Sequence, residues 1–187
     1  MAIITLYHVG FQEIRQPDIH IGRSTADFGQ GVYLSPDEAF SRRWARTRKG
    51  EDTWLNVYSL LTDDLAVKTL ERDEAWFDYI FHNRAGYRDS LAAYDVITGP
   101  IANDILYDTW GITTSGLLKP AEALHILSAG PEYTQTVLKT EKAASHLHFM
   151  TAYILPEKEI SSYREAVRQE EETYQNQISE YIQGITD

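Results

Sequence analysis

Apolar and polar positions recur along this chain in short blocks, and the period of each block predicts an element. Ile3-Ile4-Thr5-Leu6-Tyr7-His8 is a run of β-formers that reads as a core strand broken by Gly10. Residues 11–30 carry Pro17, Gly22 and Gly29 in mixed polarity and read as a loop, followed by a very short strand at Gly31-Val32-Tyr33-Leu34. Ser35-Pro36-Asp37-Glu38 reads as a helix start, with Ser35 as cap, Pro36 at the first helical position and Glu38 completing a capping box. Phe40 and Trp44 share a face of that helix, and Gly50 is expected to stop it. Trp54–Leu60 alternates as a strand, and Leu65–Leu70 is a further candidate. Asp73–Asn83 places Trp76, Phe77, Ile80 and Phe81 at helical spacing.

The second half continues in the same way. Tyr94–Pro100 predicts a strand ending in a Gly-Pro turn, Pro120–Leu127 a helix and Gln135–Lys139 a strand. Glu141–Leu147 reads as a short helix, and His148–Leu155 as a final strand closed by Pro156. From about residue 157 the pattern changes. Ile160, Tyr163, Val167, Tyr174, Ile178, Tyr181 and Ile185 recur at steps of three, four or seven through a polar, Pro-free stretch. This predicts one long amphipathic helix with a narrow apolar seam. The seam packs either on its own chain or on a partner. Many short strands without alternating βαβ units give an α+β fold class. The predicted organisation is a domain over residues 1–156 and a C-terminal helix over 157–187.

Composition narrows this picture. Hydrophobic residues are 43% of the chain and aromatics 12%, enough to bury a core. The absence of cysteine removes disulfides, thiol nucleophiles and thiolate metal sites. A formal net charge of -11 disfavours general nucleic-acid binding. The segment MAIITLYHVG lacks a basic n-region, and no window is apolar enough to span a bilayer. A cytoplasmic protein, or one delivered into a target cell's cytoplasm, is therefore expected, with no membrane partner.

Several sites are excluded by their motifs. No Gly-rich phosphate loop follows a strand, and HExxH, GxSxG and EF-hand patterns are lacking. His146 and His148 would share a strand face, but without a third ligand no metal is expected. Arg42, Arg43, Arg46, Arg48 and Lys49 form a basic run, read either as the C-terminal turns of a helix or as a footprint for an acidic acceptor. Glu170, Glu171 and Glu172 form an acidic, solvated run.

The informative segments are Leu6-Tyr7-His8-Val9-Gly10 and Asp27-Phe28-Gly29-Gln30-Gly31-Val32-Tyr33-Leu34-Ser35. The first puts a His at a strand end beside a Gly, and the second puts a Tyr after a Gly-rich turn. With Tyr94-Asp95-Val96-Ile97-Thr98-Gly99-Pro100-Ile101-Ala102-Asn103-Asp104, Gln135 and Thr140-Glu141-Lys142-Ala143, they give a pattern over residues 4–152. That pattern resembles the ADP-ribosyltransferase superfamily of the His-Tyr-Glu type, which includes poly(ADP-ribose) polymerases and diphtheria-like toxins. More closely, it looks like an uncharacterised bacterial family of ADP-ribosyltransferase-like domains.

The resemblance implies a split β-sheet core with NAD, as substrate, in a cleft between two small sheets. It implies a mono-ADP-ribosyltransferase acting on a macromolecular acceptor, in a toxin, effector or phage-defence role. An antitoxin or a second copy could then meet the C-terminal helix. It places His8, Tyr33 and Gln135 as the catalytic set and His8, Gly10, Arg23, Phe28, Gly31, Tyr33 and Phe40 around NAD. Asn103, Asp104 and Glu132 fall on the acceptor side. By the same resemblance, His8 meets the adenosine ribose, the backbone near Gly10 holds the nicotinamide amide, and Tyr33 stacks on the pyridinium. Arg23 could hold the pyrophosphate bidentately, or be an ordinary surface Arg.

The third position departs from the pattern. Gln135 can hydrogen-bond a ribose hydroxyl, but it cannot act as a carboxylate. Glu132 is the other candidate there. Two further readings stay open, an NAD glycohydrolase and a binding module that has lost the chemistry. Taken singly, His8 and Tyr33 also read as core residues and Gln135 as an exposed strand residue, while Asn103 and Asp104 also read as an Asx turn.

Overall fold

The structure is a computed structural model that describes residues 2–102, 124 and 132–186. These residues form an α+β fold of two sheets and four helices, in the order β1 (Ile3–Gly10), β2 (Val32–Leu34), α1 (Glu38–Arg43), β3 (Trp54–Leu61), β4 (Val67–Thr69), α2 (Glu74–Arg84), β5 (Val96–Pro100), β6 (Thr134–Leu138), α3 (Glu141–Ser145), β7 (Leu147–Ile154) and α4 (Glu157–Thr186). One sheet runs β1-β3-β7 and the other β2-β6-β5-β4. Pairing is antiparallel throughout, except between β4 and β5. A two-way backbone bridge between Tyr7 and Ser35, at 2.8 and 3.0 Å, ties the first sheet to the end of β2.

Side-chain alternation explains how the layers stack. In β5, Val96 packs with Leu6, Leu34, Tyr58 and Leu60 of the first sheet and its neighbour, whereas Ile97 packs with Trp76, Phe77 and Ile80 of α2. In β6, Leu138 and Val137 divide in the same way. Successive strand residues face opposite sides, so a sheet covered on both faces reads as a continuous apolar run. The other face of the first sheet, with Leu55 and Val57, is covered by Ala45, Leu155 and Ile160. Within α4, Ile160 joins that cluster and Tyr174 joins the α2 cluster, so the seam packs on its own chain at these two positions. The side chains of Ile178, Tyr181 and Ile185 lie outside the described residues.

The first helix differs from expectation. Its cap is Asp37, whose carboxylate accepts from the Phe40 N–H at 3.0 Å. Ser35 is held in the bridge to Tyr7, and its hydroxyl donates to the Thr134 carbonyl at 3.0 Å. Glu38 pairs with Arg42 at 2.7 Å and so does not complete a capping box. The helix ends at Arg43, well before Gly50, because the chain turns inward to bury Ala45. Gly50 instead serves a tight turn between Arg48 and Glu51 at φ +80°, a left-handed conformation that suits glycine. The expected helix at Pro120–Leu127 lies outside the described residues except for Leu124, which is helical.

Candidate functional site

A cavity of about 520 Å³ opens where the two sheets meet. Its walls come from the end of β1 (Tyr7, His8, Val9), the loop before β2 (Arg23, Thr25, Ala26, Asp27), β2 itself, α1 (Phe40, Ser41) and its C-cap Trp44. Arg84, Ile101, Ala102 and Gln135 complete it. His8, Tyr33 and Gln135 thus line one cavity, although they are separated by tens of residues in sequence.

The strand pairing explains this convergence. Tyr33 pairs with Val137 and Gln135 with Gly99 in one sheet, while the Tyr7–Ser35 bridge brings β1 alongside β2. His8 is held by its Nδ1 on the Tyr33 carbonyl oxygen at 3.0 Å. Burial pushes its pKa below the usual imidazole value. The neutral ring therefore donates from Nδ1 and leaves Nε2 as an acceptor. Gly10 lies outside the cavity wall, but a Cβ there would stand 3.4 Å from His8 Nε2, so its missing side chain leaves that nitrogen open.

Tyr33 does structural as well as lining work. Its hydroxyl donates to the Gly29 carbonyl at 2.7 Å and accepts from the Phe28 N–H at 2.9 Å. Burial drives the phenol pKa up, so it stays neutral. Beneath this turn, Lys139 is 5% exposed, pairs with Asp89 at 2.7 Å and donates to the Phe28 carbonyl. Asp89 also accepts from the Tyr79 hydroxyl at 2.9 Å. The approach of the loop is set from the other sheet, where Asn56 accepts from the Ile14 N–H at 2.8 Å and Tyr58 donates to the Ile14 carbonyl at 2.6 Å.

Gln135 is 7% exposed, and its Nε2 has no hydrogen-bond partner among the described residues. It is therefore not an exposed strand residue. Arg23 and Phe40 also line the cavity, and Phe40 stacks on Tyr133 with ring centroids 4.3 Å apart. Besides Gly10, two residues expected around NAD lie outside the cavity wall. Phe28 is a core residue packed with Tyr79 and Trp76. Gly31 lies against β6, where a Cβ would come within 2.4 Å of the Leu138 carbonyl oxygen, so close backbone approach is what requires glycine. Glu132 is exposed and outside the cavity wall. Asn103 and Asp104 lie outside the described residues.

Sequence reading missed Asp27 and Arg84. They form an ion pair at 2.5 Å on the cavity wall, and the Ala102 N–H also donates to Asp27 at 3.4 Å. Both stood in the sequence as ordinary charges, 57 residues apart. Trp44 at the rim is 50% exposed and meets Phe40 edge-on. The basic run is largely engaged within the chain: Arg42 pairs with Glu38 and Glu159, Arg43 with Glu170, and Arg48 with Glu51. Arg46 and Arg48 fall beyond the end of α1. His146 caps α3 while His148 is exposed on β7, and no metal-holding cluster occurs among the described residues. Asp95, Thr140 and Lys142 clamp α3 to the start of β5, away from the cavity, with Thr140 donating to Asp95 at 2.6 Å.

Fold and site together define an α+β protein with a ligand-sized cleft at the junction of two small sheets. The chain belongs to the family described as protein of unknown function DUF3990, whose model matches residues 4–149. No curated protein matches it. Among the described residues no helix is long and apolar enough to cross a membrane.

Proposed function

We propose that this cavity binds NAD and that the protein is a mono-ADP-ribosyltransferase that passes ADP-ribose to a macromolecular acceptor, as a bacterial toxin, effector or defence protein. The observation that carries the reading is the convergence of His8, Tyr33 and Gln135 on one cavity that also holds Arg23. Each brings a fitting chemistry. His8 Nε2 accepts from a ribose hydroxyl. Tyr33 offers an aromatic face to a cationic ring. Arg23 attracts a pyrophosphate. The volume suits a small-molecule cofactor.

The test uses NAD labelled separately in nicotinamide and in adenylate, incubated with the protein and candidate acceptors. Nicotinamide release with adenylate label on a macromolecule is the expected result, and His8→Ala should abolish it. Free ADP-ribose without a labelled macromolecule makes the protein a glycohydrolase. Lack of NAD binding removes the proposal. A second reading, NAD binding without turnover, is favoured by the amide at Gln135 where a carboxylate would serve the chemistry. NAD binding with no nicotinamide release, whichever candidate acceptor is present, would select it.

A further inference from the structure

We propose that the site divides between two side chains the work of holding a ribose hydroxyl and of supplying negative charge, with Gln135 doing the first and Asp27 the second. This rests on the NAD reading above. Cleaving the glycosidic bond sends the C1′–N electron pair to the nicotinamide ring nitrogen and leaves an oxocarbenium-like sugar. The acceptor nucleophile then bonds to C1′ and its proton passes to solvent. Positive charge on the sugar calls for a fixed anion in the water-poor cleft, and a carboxamide has none.

The described cavity wall carries one carboxylate, Asp27. It is 9% exposed and on the same turn that Tyr33 anchors. Its Oδ1 accepts from Arg84 Nε at 2.6 Å, while Asn83 Nδ2 donates to its backbone carbonyl at 2.9 Å. With the Ala102 N–H on Oδ2 at 3.4 Å, these contacts fix where the carboxylate stands. Its charge is felt at Tyr33: burial chiefly, then the Asp27 and Asp89 charges, raise that phenol. Gln135 contributes the complementary half. Its buried Nε2 has no partner among the described residues, and a ligand oxygen in the cavity satisfies it.

The experiment measures kcat for nicotinamide release and the Kd for NAD in the full chain. Asp27→Asn keeps the shape and removes the charge. It should lower kcat on the order of 10²-fold while leaving Kd nearly unchanged. The decisive variant is Asp27→Asn with Gln135→Glu, which returns a carboxylate to the cavity wall from β6 and should recover at least about tenfold in kcat. Because Arg84 lines the same cavity, the rescue is also read in the Arg84→Gln background, where a merely structural Asp27 would not be rescued from position 135. Should Asp27→Asn unfold, Asp27→Asn with Arg84→Gln removes both charges and should show the same loss. Wild-type turnover that Asp27→Asn leaves intact, or a loss that Gln135→Glu does not relieve, overturns this division of labour alone. Wild type that neither binds NAD nor releases nicotinamide overturns the NAD reading and this inference with it.

Discussion

Replacing Lys139 with Met tests whether the buried network beneath Tyr33 holds the site. The Lys139 side chain is 5% exposed, and its ammonium sits 2.7 Å from the carboxylate of Asp89, whose side chain is 20% exposed. Removing one partner of a buried pair typically costs about 3–5 kcal/mol, because the other charge is left behind. Here Asp89 keeps bonds from the Tyr79 hydroxyl and the Leu91 N–H, each at 2.9 Å, and retains some solvent. The expected loss therefore falls at or below the bottom of that range, about 2–3 kcal/mol. For a chain of this length that lowers Tm by about 4–12 °C. Urea unfolding of wild type, Lys139→Met, Asp89→Asn and the double variant gives the coupling directly, provided the m-value is unchanged. The double variant should cost about 1–2 kcal/mol less than the sum of the singles. A single-variant loss under about 0.5 kcal/mol, or additive singles, would refute the reasoning.

Two further outcomes follow from the site geometry. Burial lowers the His8 pKa below the ordinary imidazole value of about 6.5, so the unfolded chain binds this proton more readily than the folded one. Stability from the neutral ring is then full above about 6.5 and declines as pH falls toward the folded value, by at most about 1.4 kcal/mol per pH unit. Denaturation from pH 5 to 7.5 should show that slope in wild type and lack it in His8→Gln; equal slopes would contradict it. Tyr33→Phe keeps the ring but leaves the Phe28 N–H and Gly29 carbonyl without the hydroxyl, at a cost of about 1–3 kcal/mol. Its Kd for NAD, measured by calorimetry, should stay within about threefold of wild type if the ring face rather than the hydroxyl meets the ligand.

Element positions were legible in the sequence because they depend on local periods. Alternation marked β3, and helical spacing of Trp76, Phe77 and Ile80 marked α2. That β5 and β6 are covered on both faces emerged only from the packing, where Ile97 and Val137 face α2 and Val96 and Leu138 face the first sheet. Helix ends were less legible. Ser35 is a sound cap residue by local preference, but its bridge to Tyr7 drew it out of that role, and Asp37 took its place. The residues of the site were legible only through motif order. That order singled out His8, Tyr33 and Gln135, which the fold brings onto one cavity; of the others it set around a ligand, Gly10 lies outside the cavity wall, Phe28 is core and Gly31 is close-packed against β6. What tertiary structure alone decided is which charges face the cleft. Asp27 and Arg84 carry no local signature, and their pairing depends on a loop pinned by Asn56 and Tyr58 from the other sheet and on the C-terminal end of α2. Periodicity reports how a residue faces its own element, whereas an ion pair between elements 57 residues apart exists only once those elements are packed.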